Sequence, residues 1–171
     1  MNTHKRMLLD TCILSQFAYK NPPRQLITWI KGFPEIYFAI SISTVIEIQK
    51  GIENLRSCGS ARADALEEWL DQLLASDLMC LDHDAKTARI IGRMLSIPAL
   101  KALWIPDPKS KKPKLGQDLQ IAAASIRYGI PVATANVSDF LQINEWFKLP
   151  GLCNPITDTW YVSNFGSNTT A

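Results

Sequence analysis

Short apolar runs alternate along this chain with segments of helical periodicity, and this alternation constrains the fold more than any other feature of the sequence. Buried strands are predicted at residues 7–9, 36–40 and 131–134, with an edge strand at 78–81. Helices are predicted to begin near residue 45 and to cover residues 60–75, 85–95 and 118–126. Strands that alternate with helices in this way are typical of an α/β fold around a mostly parallel sheet.

The chain has 171 residues, of which 47% are hydrophobic, and this suits a single domain with one core. We place that domain at residues 1–160 and expect residues 161–171, which lack a pattern, to form a flexible tail. A loop is expected at 136–140, and Gly51 is expected near a helix end or a bend. The proline- and lysine-rich stretch 98–116 indicates a solvated connection.

The cysteines and the N-terminus bear on the cellular compartment. The four cysteines are widely scattered and form no C-x-x-C pair, which favours a reduced cytoplasm. The first apolar run stops at Asp10, too early for a signal-peptide core or a membrane span. We therefore expect a cytoplasmic protein that does not associate with a membrane.

Four acidic residues occupy equivalent places in the predicted topology. Asp10 directly follows the first strand, and Glu47 lies in the first turns of the helix after the second. Asp118 opens a helix that is apolar nearly all round, and Asp139 follows the strand at 131–134. Ligands bind at the carboxyl ends of parallel strands, so these side chains should face one cleft. Because clustered carboxylates cannot all stay ionised without a cation, the pattern predicts a divalent metal.

The types of ligand atom limit both the identity of the metal and the kind of reaction. Oxygen ligands without a set of histidines or thiolates favour Mg²⁺ or Mn²⁺ over Zn²⁺ or Cu²⁺. Such ions complete their shell with phosphate oxygens and activate a bound water to attack phosphorus. The chain contains two histidines and neither a P-loop motif nor the second aspartate of an aspartyl-nucleophile phosphatase. The residues therefore predict metal-dependent phosphoryl transfer.

Each acid also has a structural interpretation. Asp10 could cap a helix, Asp118 could interact with a helix dipole, and Asp139 could form an Asx turn. Glu47 could be a surface acid, but it lies between two isoleucines, and burial without partners would be costly. The four positions taken together therefore favour the functional interpretation.

Four segments of the sequence resemble the PIN-domain ribonucleases, and within them the VapC- and FitB-like toxins of bacterial toxin–antitoxin pairs. The segments are MLLDT at 7–11, ISTVIEIQKG at 42–51, DLQIAA at 118–123 and VATANVSDF at 132–140. Their order and spacing match the family along roughly residues 7–155. The resemblance implies a three-layer α/β/α PIN-like domain that cleaves RNA, forms a homodimer and binds a small antitoxin. The antitoxin would occupy the cleft, commonly with a basic side chain among the acids.

The resemblance also implies roles for individual residues. Asp10, Asp118 and Asp139 would hold Mg²⁺ or Mn²⁺, and Glu47 would ligate the metal or orient the attacking water. The polar support around this site would come from Thr11, Thr134 and Asn136.

Two features depart from the family pattern. An asparagine usually follows Asp-Thr, whereas this chain has Cys12, whose weakly hydrogen-bonding thiol either alters the site or packs as a structural residue. The stretch before Asp118 is longer and richer in lysine than usual, and Trp104 in it could stack on a base or pack in the core. Its candidate RNA-contacting residues are Lys109, Lys111, Lys112 and Lys114.

Two other functions remain open on the sequence. The Cys12 change or the lysine-rich insertion could leave a catalytically silent module that binds RNA or a protein partner. The same carboxylate–metal chemistry could also act on DNA, because it does not itself recognise the 2′-hydroxyl.

Overall fold

The computed structural model describes residues 6–105 and 116–163, and in this part of the chain six strands form one sheet. The strands are β1 (Met7–Leu9), β2 (Phe38–Ser41), β3 (Met79–Leu81), β4 (Val132–Ala133), β5 (Gly151–Asn154) and β6 (Thr159–Ser163). Their order in the sheet is β3-β2-β1-β4-β5-β6. The β5–β6 pair is antiparallel and the other neighbouring strands are parallel, which confirms the predicted mostly parallel sheet.

Helices cover both faces of this sheet. They are α1 (Thr11–Leu14), α2 (Arg24–Lys31), α3 (Ile42–Ser57), α4 (Arg62–Leu74), α5 (Ala85–Leu95), α6 (Gln117–Tyr128) and α7 (Val137–Trp146). Leu8 points into a core shared with α5, α6 and α7, whereas Met7 and Leu9 point into a second core with α1 and α2. Alternate residues of β1 therefore serve opposite faces, as the pleat requires, and the three-layer α/β/α architecture is confirmed.

The strand register places the ends of three strands side by side. Leu8 of β1 pairs with Ala39 of β2 on one side and with Val132 of β4 on the other. One residue beyond β1, the Asp10 amide donates to the Ala133 carbonyl at 3.0 Å. The ends of β1, β2 and β4 together form what we call the carboxyl edge of the sheet, where the chain leaves each strand for a helix.

Two expected boundaries on the second strand and its helix are wrong. Residues Glu35–Tyr37 form a 3₁₀ turn, so the strand begins at Phe38. The following helix begins at Ile42, because the Ser41 hydroxyl accepts the Thr44 amide and caps it there. Gly51 consequently lies inside α3, and not at a helix end.

Three further expectations are corrected. Residues 136–140 are not a loop: α7 begins at Val137, and its buried Phe140 and Ile143 lie on one helical face. The connection after residue 98 starts with a 3₁₀ helix, Pro98–Leu103, whose Leu100 is buried. The tail cannot begin at residue 161, because Thr159–Ser163 form β6. Residues 106–115, with the four candidate lysines, and residues 164–171 lie outside the described part of the chain.

Within the described ranges, no helix has the length and apolar character needed to cross a bilayer.

Candidate active site

Asp10 lies at the centre of the carboxyl edge and is held by two hydrogen-bond donors. Its side chain is 3% exposed. Its Oδ2 atom accepts from the Thr134 hydroxyl at 2.6 Å and from the Cys12 thiol at 2.9 Å. Burial raises the pKa of Asp10, and these bonds offset only part of the rise because they favour the charged form.

Cys12 belongs to this polar network. Its Sγ atom accepts the Ala135 amide at 3.2 Å and lies 3.4 Å from the Thr134 hydroxyl. Burial, followed by the charge of Asp10, raises the Cys12 pKa to about 12, so the thiol stays protonated and donates to the carboxylate. Cys12 therefore ties the end of β1 to the loop after β4. Of the two interpretations open on the sequence, the structure favours the thiol as a polar part of the site.

Asn136 connects the Asp10 network to two further acids. Its backbone amide donates to the Thr134 hydroxyl at 2.8 Å. Its side-chain amide donates to Oδ2 of Asp118 at 3.1 Å and to Oδ2 of Asp139 at 2.8 Å. One asparagine thus joins the first turn of α7 to the start of α6, where Asp118 lies 18 residues away along the chain.

Asp118 is the acid whose pKa is affected by all three of the other acids. Its pKa is raised to about 8, first by burial and then by the negative charges of Asp10 and Asp139. A hydrogen bond with the Asp139 carboxyl and the charge of Glu47 raise this pKa further. Burial and the neighbouring carboxylates therefore favour the protonated form of Asp118 in the metal-free protein.

Gly116 fixes the position from which Asp118 projects. It precedes α6 with φ +78°, a left-handed conformation that favours glycine. A Cβ atom at this residue would lie 3.2 Å from Cβ of Trp104, and the Gly116 amide donates to the Leu103 carbonyl at 3.2 Å. Trp104 packs against the core at this point, which favours the packing interpretation over base stacking.

Glu47 joins the other acids from α3. Burial and the charge of Asp10 raise its pKa, whereas the Thr11 hydroxyl and Lys50 lower it. The Thr11 oxygen is buried and has no hydrogen-bond partner of good geometry among the described residues, although it lies close enough to Glu47 to stabilise the carboxylate. The structure therefore brings all four predicted acids within electrostatic reach of one another; we call Asp10, Glu47, Asp118 and Asp139 the acidic cluster.

The acidic cluster fits a hard divalent cation in charge and donor type. Its oxygens are carboxylates, which Mg²⁺ and Mn²⁺ prefer, and the charges of Asp10, Asp139 and Glu47 act on Asp118 and raise its pKa. In the described side-chain conformations, no group of three His, Cys, Asp or Glu residues is already arranged to hold a metal ion. The Asn136 amide lies between two of the carboxylates, and the Asp10 oxygen faces its two donors.

Comparison with known proteins shows the fold. No protein-family model and no curated protein sequence matches this chain. A chain of FitAcB from Neisseria gonorrhoeae is 22% identical with a TM-score of 0.64, covering 87% of this chain and 97% of that chain. A chain of VapBC2 from Rickettsia felis, solved with a DNA fragment from its promoter, is 22% identical with a TM-score of 0.62, covering 86% and 97%.

A chain of VapBC-5 from Mycobacterium tuberculosis, a member of the VapBC family of toxin–antitoxin systems, is 18% identical. It has a TM-score of 0.51 and covers 88% of this chain and 98% of that chain. The chain therefore has the PIN-like α/β fold of these proteins, and the structural likeness predicted from the four sequence segments is confirmed.

Proposed function

We propose that this protein is a metal-dependent endoribonuclease and acts as the toxin of a toxin–antitoxin pair. The observation that carries the proposal is the convergence of acids at the carboxyl edge: Thr134 holds Asp10, and Asn136 in the same loop holds both Asp118 and Asp139. Carboxylates that repel one another destabilise a fold, and their clustering therefore usually indicates a functional site such as one that binds a cation.

The residues divide into two roles. Asp10, Asp118 and Asp139 would hold Mg²⁺ or Mn²⁺, and Glu47 would share in holding the ion or orient the attacking water. The bound ion would supply an activated water and stabilise the leaving oxygen of the phosphodiester. Glu47, whose pKa is raised, suits the acceptance of a proton from that water.

The remaining residues keep the carboxylates in place. Thr134 and Cys12 donate to one oxygen of Asp10 and thereby fix its orientation. Asn136 holds Asp118 and Asp139 with one amide group. Because these donors and acceptors lie at or next to the ends of strands and the starts of helices, the site would be organised before the RNA binds.

The toxin role draws support from the solved structures of like fold, which include FitAB and VapBC proteins. A small antitoxin would inhibit this chain by occupying the cleft, and the acidic cluster suits a basic side chain from such a partner. The family resemblance also predicts a homodimer. The protein would act in the cytoplasm, where RNA is available as the substrate.

A cleavage assay tests the enzymatic part. Labelled tRNA, mRNA and single-stranded DNA would be incubated with the protein and Mg²⁺, Mn²⁺ or EDTA. We expect RNA cleavage with a divalent ion, none in EDTA, and none with Asp10→Asn. The matched control is Asp71→Asn, which alters an exposed acid on α4. Lack of RNA cleavage with either metal would refute the ribonuclease proposal, and selective DNA cleavage would replace it with a deoxyribonuclease.

A growth assay tests the toxin part. Induced expression of the wild-type chain should arrest bacterial growth, whereas Asp10→Asn should not. Co-expression of a short reading frame adjacent to this gene, encoding a DNA-binding fold, should restore growth and yield a complex on purification. Unimpaired growth with well-expressed, RNA-cleaving wild-type protein would separate the nuclease from the toxin role and refute the latter.

A further inference from the structure

A cavity of about 290 Å³ opens directly beside the acidic cluster. It lies between α1, α3 and α4, and Thr11 and Glu47 are among its lining residues. We call it the α1–α4 cavity. Because Glu47 belongs both to the acidic cluster and to the cavity wall, a ligand that fills the cavity would also reach the candidate catalytic centre.

The wall of the α1–α4 cavity combines apolar side chains with a few polar groups. Ile48, Leu66 and Trp69 supply much of the apolar surface. The buried Thr11 hydroxyl lies near the Glu47 carboxylate but has no hydrogen-bond partner of good geometry among the described residues, so its oxygen can still accept a hydrogen bond. An apolar wall with a small number of placed polar groups is typical of a site for a small planar ligand.

The lining of the α1–α4 cavity also includes an aromatic ring and a cation. Tyr19 is 52% exposed, and the Arg62 guanidinium lies 5.6 Å from its ring centroid. Both residues line the cavity. A guanidinium stacked on an aromatic ring still presents donors that suit phosphate oxygens, and the ring presents a face on which a base can stack.

Gly51 keeps one side of the cavity open. It lies inside α3, where glycine costs helix stability relative to alanine, and it lines the cavity. A Cβ atom at this position would meet no atom within 4 Å. A longer side chain here would therefore fit the helix without a clash and extend over the space that a ligand would use.

We propose that the α1–α4 cavity binds one unpaired nucleotide of the RNA substrate, next to the phosphodiester that the acidic cluster would cleave. The base enters between the apolar walls of α3 and α4, its edge meets the Thr11 hydroxyl, and its phosphate meets Arg62. This inference rests on the proposed function, since it assigns the substrate's position in the same site.

The composition of the cavity favours a nucleotide over a protein segment. Because Glu47 belongs to both the cavity lining and the acidic cluster, a ligand with a phosphate next to a base can contact both. The Arg62 guanidinium and the Thr11 hydroxyl in the lining suit the phosphate and the polar edge of such a ligand. The subsite would confine cleavage to unpaired RNA and set the preferred base beside the cut.

The decisive variant is Gly51→Met, which fills the cavity with a good helix former. Two matched controls are available: Gly51→Ala makes the same helix-stabilising change with little volume, and Gly92→Met places the same side chain on α5, where a Cβ also meets no atom within 4 Å. Arg62→Ala tests the phosphate contact. Thermal melting of each variant would verify that it is folded.

Binding would be measured without catalysis, by anisotropy of fluorescein-labelled single-stranded RNA hexamers in EDTA. We expect Gly51→Met and Arg62→Ala each to weaken binding about tenfold, since stacking of one base is worth at least that order. Both controls should bind within about twofold of the wild type. Equal affinities for Gly51→Met and the wild type would overturn the proposal, as would equal losses in Gly92→Met.

Cleavage provides the second readout. With Mg²⁺ or Mn²⁺, Gly51→Met should raise KM more than it lowers kcat and should change the base found next to the cut in sequenced products. An unchanged cut-site profile would refute the subsite, and would point instead to a protein partner for the cavity. If the wild type binds the hexamers through this cavity yet cleaves no RNA, the proposed function fails while the nucleotide site stands.

Discussion

Asp84 and Asp118 lie at the N-termini of two helices that pack against each other, yet their environments are opposite. Asp84 caps α5: its Oδ1 accepts the Thr87 amide at 2.8 Å, and its Oδ2 accepts from Arg127 at 3.0 Å. These partners, with Arg127 first, hold the pKa of Asp84 well below its usual range. Asp118 instead faces other carboxylates and the neutral amide of Asn136, and its pKa rises to about 8.

The contrast separates two uses of the same side chain. An acid whose charge is balanced by a cap and a guanidinium strengthens the fold, as Asp84 does. Acids whose mutual repulsion is left in place weaken the metal-free fold, and we propose that the acidic cluster accepts this cost in order to bind a cation. Position at a helix N-terminus does not distinguish the two, since both aspartates hold it; the partners contributed by other elements do.

Cleavage should show the largest difference between the two aspartates. Asp118→Asn should lower the initial rate of RNA cleavage by at least about 100-fold, because removal of a direct ligand should exceed the effect of removing outer support. Asp84→Asn should stay within about twofold of the wild type, because that side chain lies outside the acidic cluster. Initial rates on a labelled single-stranded RNA measure both. Equal losses of cleavage rate in the two variants would show that the different environments of the two aspartates do not matter for catalysis.

Divalent cations should stabilise the wild type but not Asp118→Asn. At an ion concentration 100 times its dissociation constant, the gain in unfolding free energy is about 2.7 kcal/mol. Thermal melts at increasing Mg²⁺ or Mn²⁺ would detect it as a rising Tm, with Asp84→Asn as the control that should respond like the wild type. A Tm that rises equally in Asp118→Asn would place the bound ion elsewhere.

The two aspartates should also give opposite pH dependences in the metal-free protein. The folded pKa of Asp118 is about 8, above the ordinary value of 3.8, so the folded state binds the extra proton and this group's contribution to stability is lost as pH rises through about 8. The pKa of Asp84 is lowered, so its contribution is present above pH 3.8 and lost at more acidic pH.

Urea unfolding in EDTA between pH 5 and pH 8 would measure the Asp118 effect. Asp118→Asn should be as stable as the wild type or more stable near pH 8, and its stability should depend less on pH than that of the wild type. Some pH dependence should remain, because Asp10 and Glu47 still contribute in the same direction. Asp71→Asn should keep the wild-type slope. A clear loss of metal-free stability in Asp118→Asn would favour a structural role for that acid.

The smallest expected effect is the loss of the α5 cap. Asp84→Ala should lower the free energy of unfolding at pH 7 by about 1 kcal/mol, because the Thr87 amide loses its acceptor. Urea unfolding measures it, and the RNA-cleavage rate should not change. If Asp118→Ala destabilised the metal-free protein as much as Asp84→Ala, the two acids would both be structural and the contrast would disappear.

Several elements could be predicted because their signal is local. The apolar run Met7–Leu9 and the periodic segment Ala85–Leu95 match the observed elements in their bounds. Others gave no usable local signal: α2 was not predicted, and neither was β5, a four-residue strand that begins with glycine. The sequence predicts a loop at the start of α7 because the turn-forming residue types there conceal the buried pair Phe140 and Ile143.

The candidate site divides in the same way. The local pattern of the chain is enough to predict the parallel α/β class and the four acids that follow strands or open helices. Their convergence at the carboxyl edge is also predictable, because parallel strands end at a common edge. Three contacts become visible only in the folded chain: Cys12 bonds to Asp10, Asn136 spans Asp118 and Asp139, and Gly51 borders a cavity. Periodicity along the chain is set by neighbouring residues, whereas distances between remote side chains depend on how every layer packs.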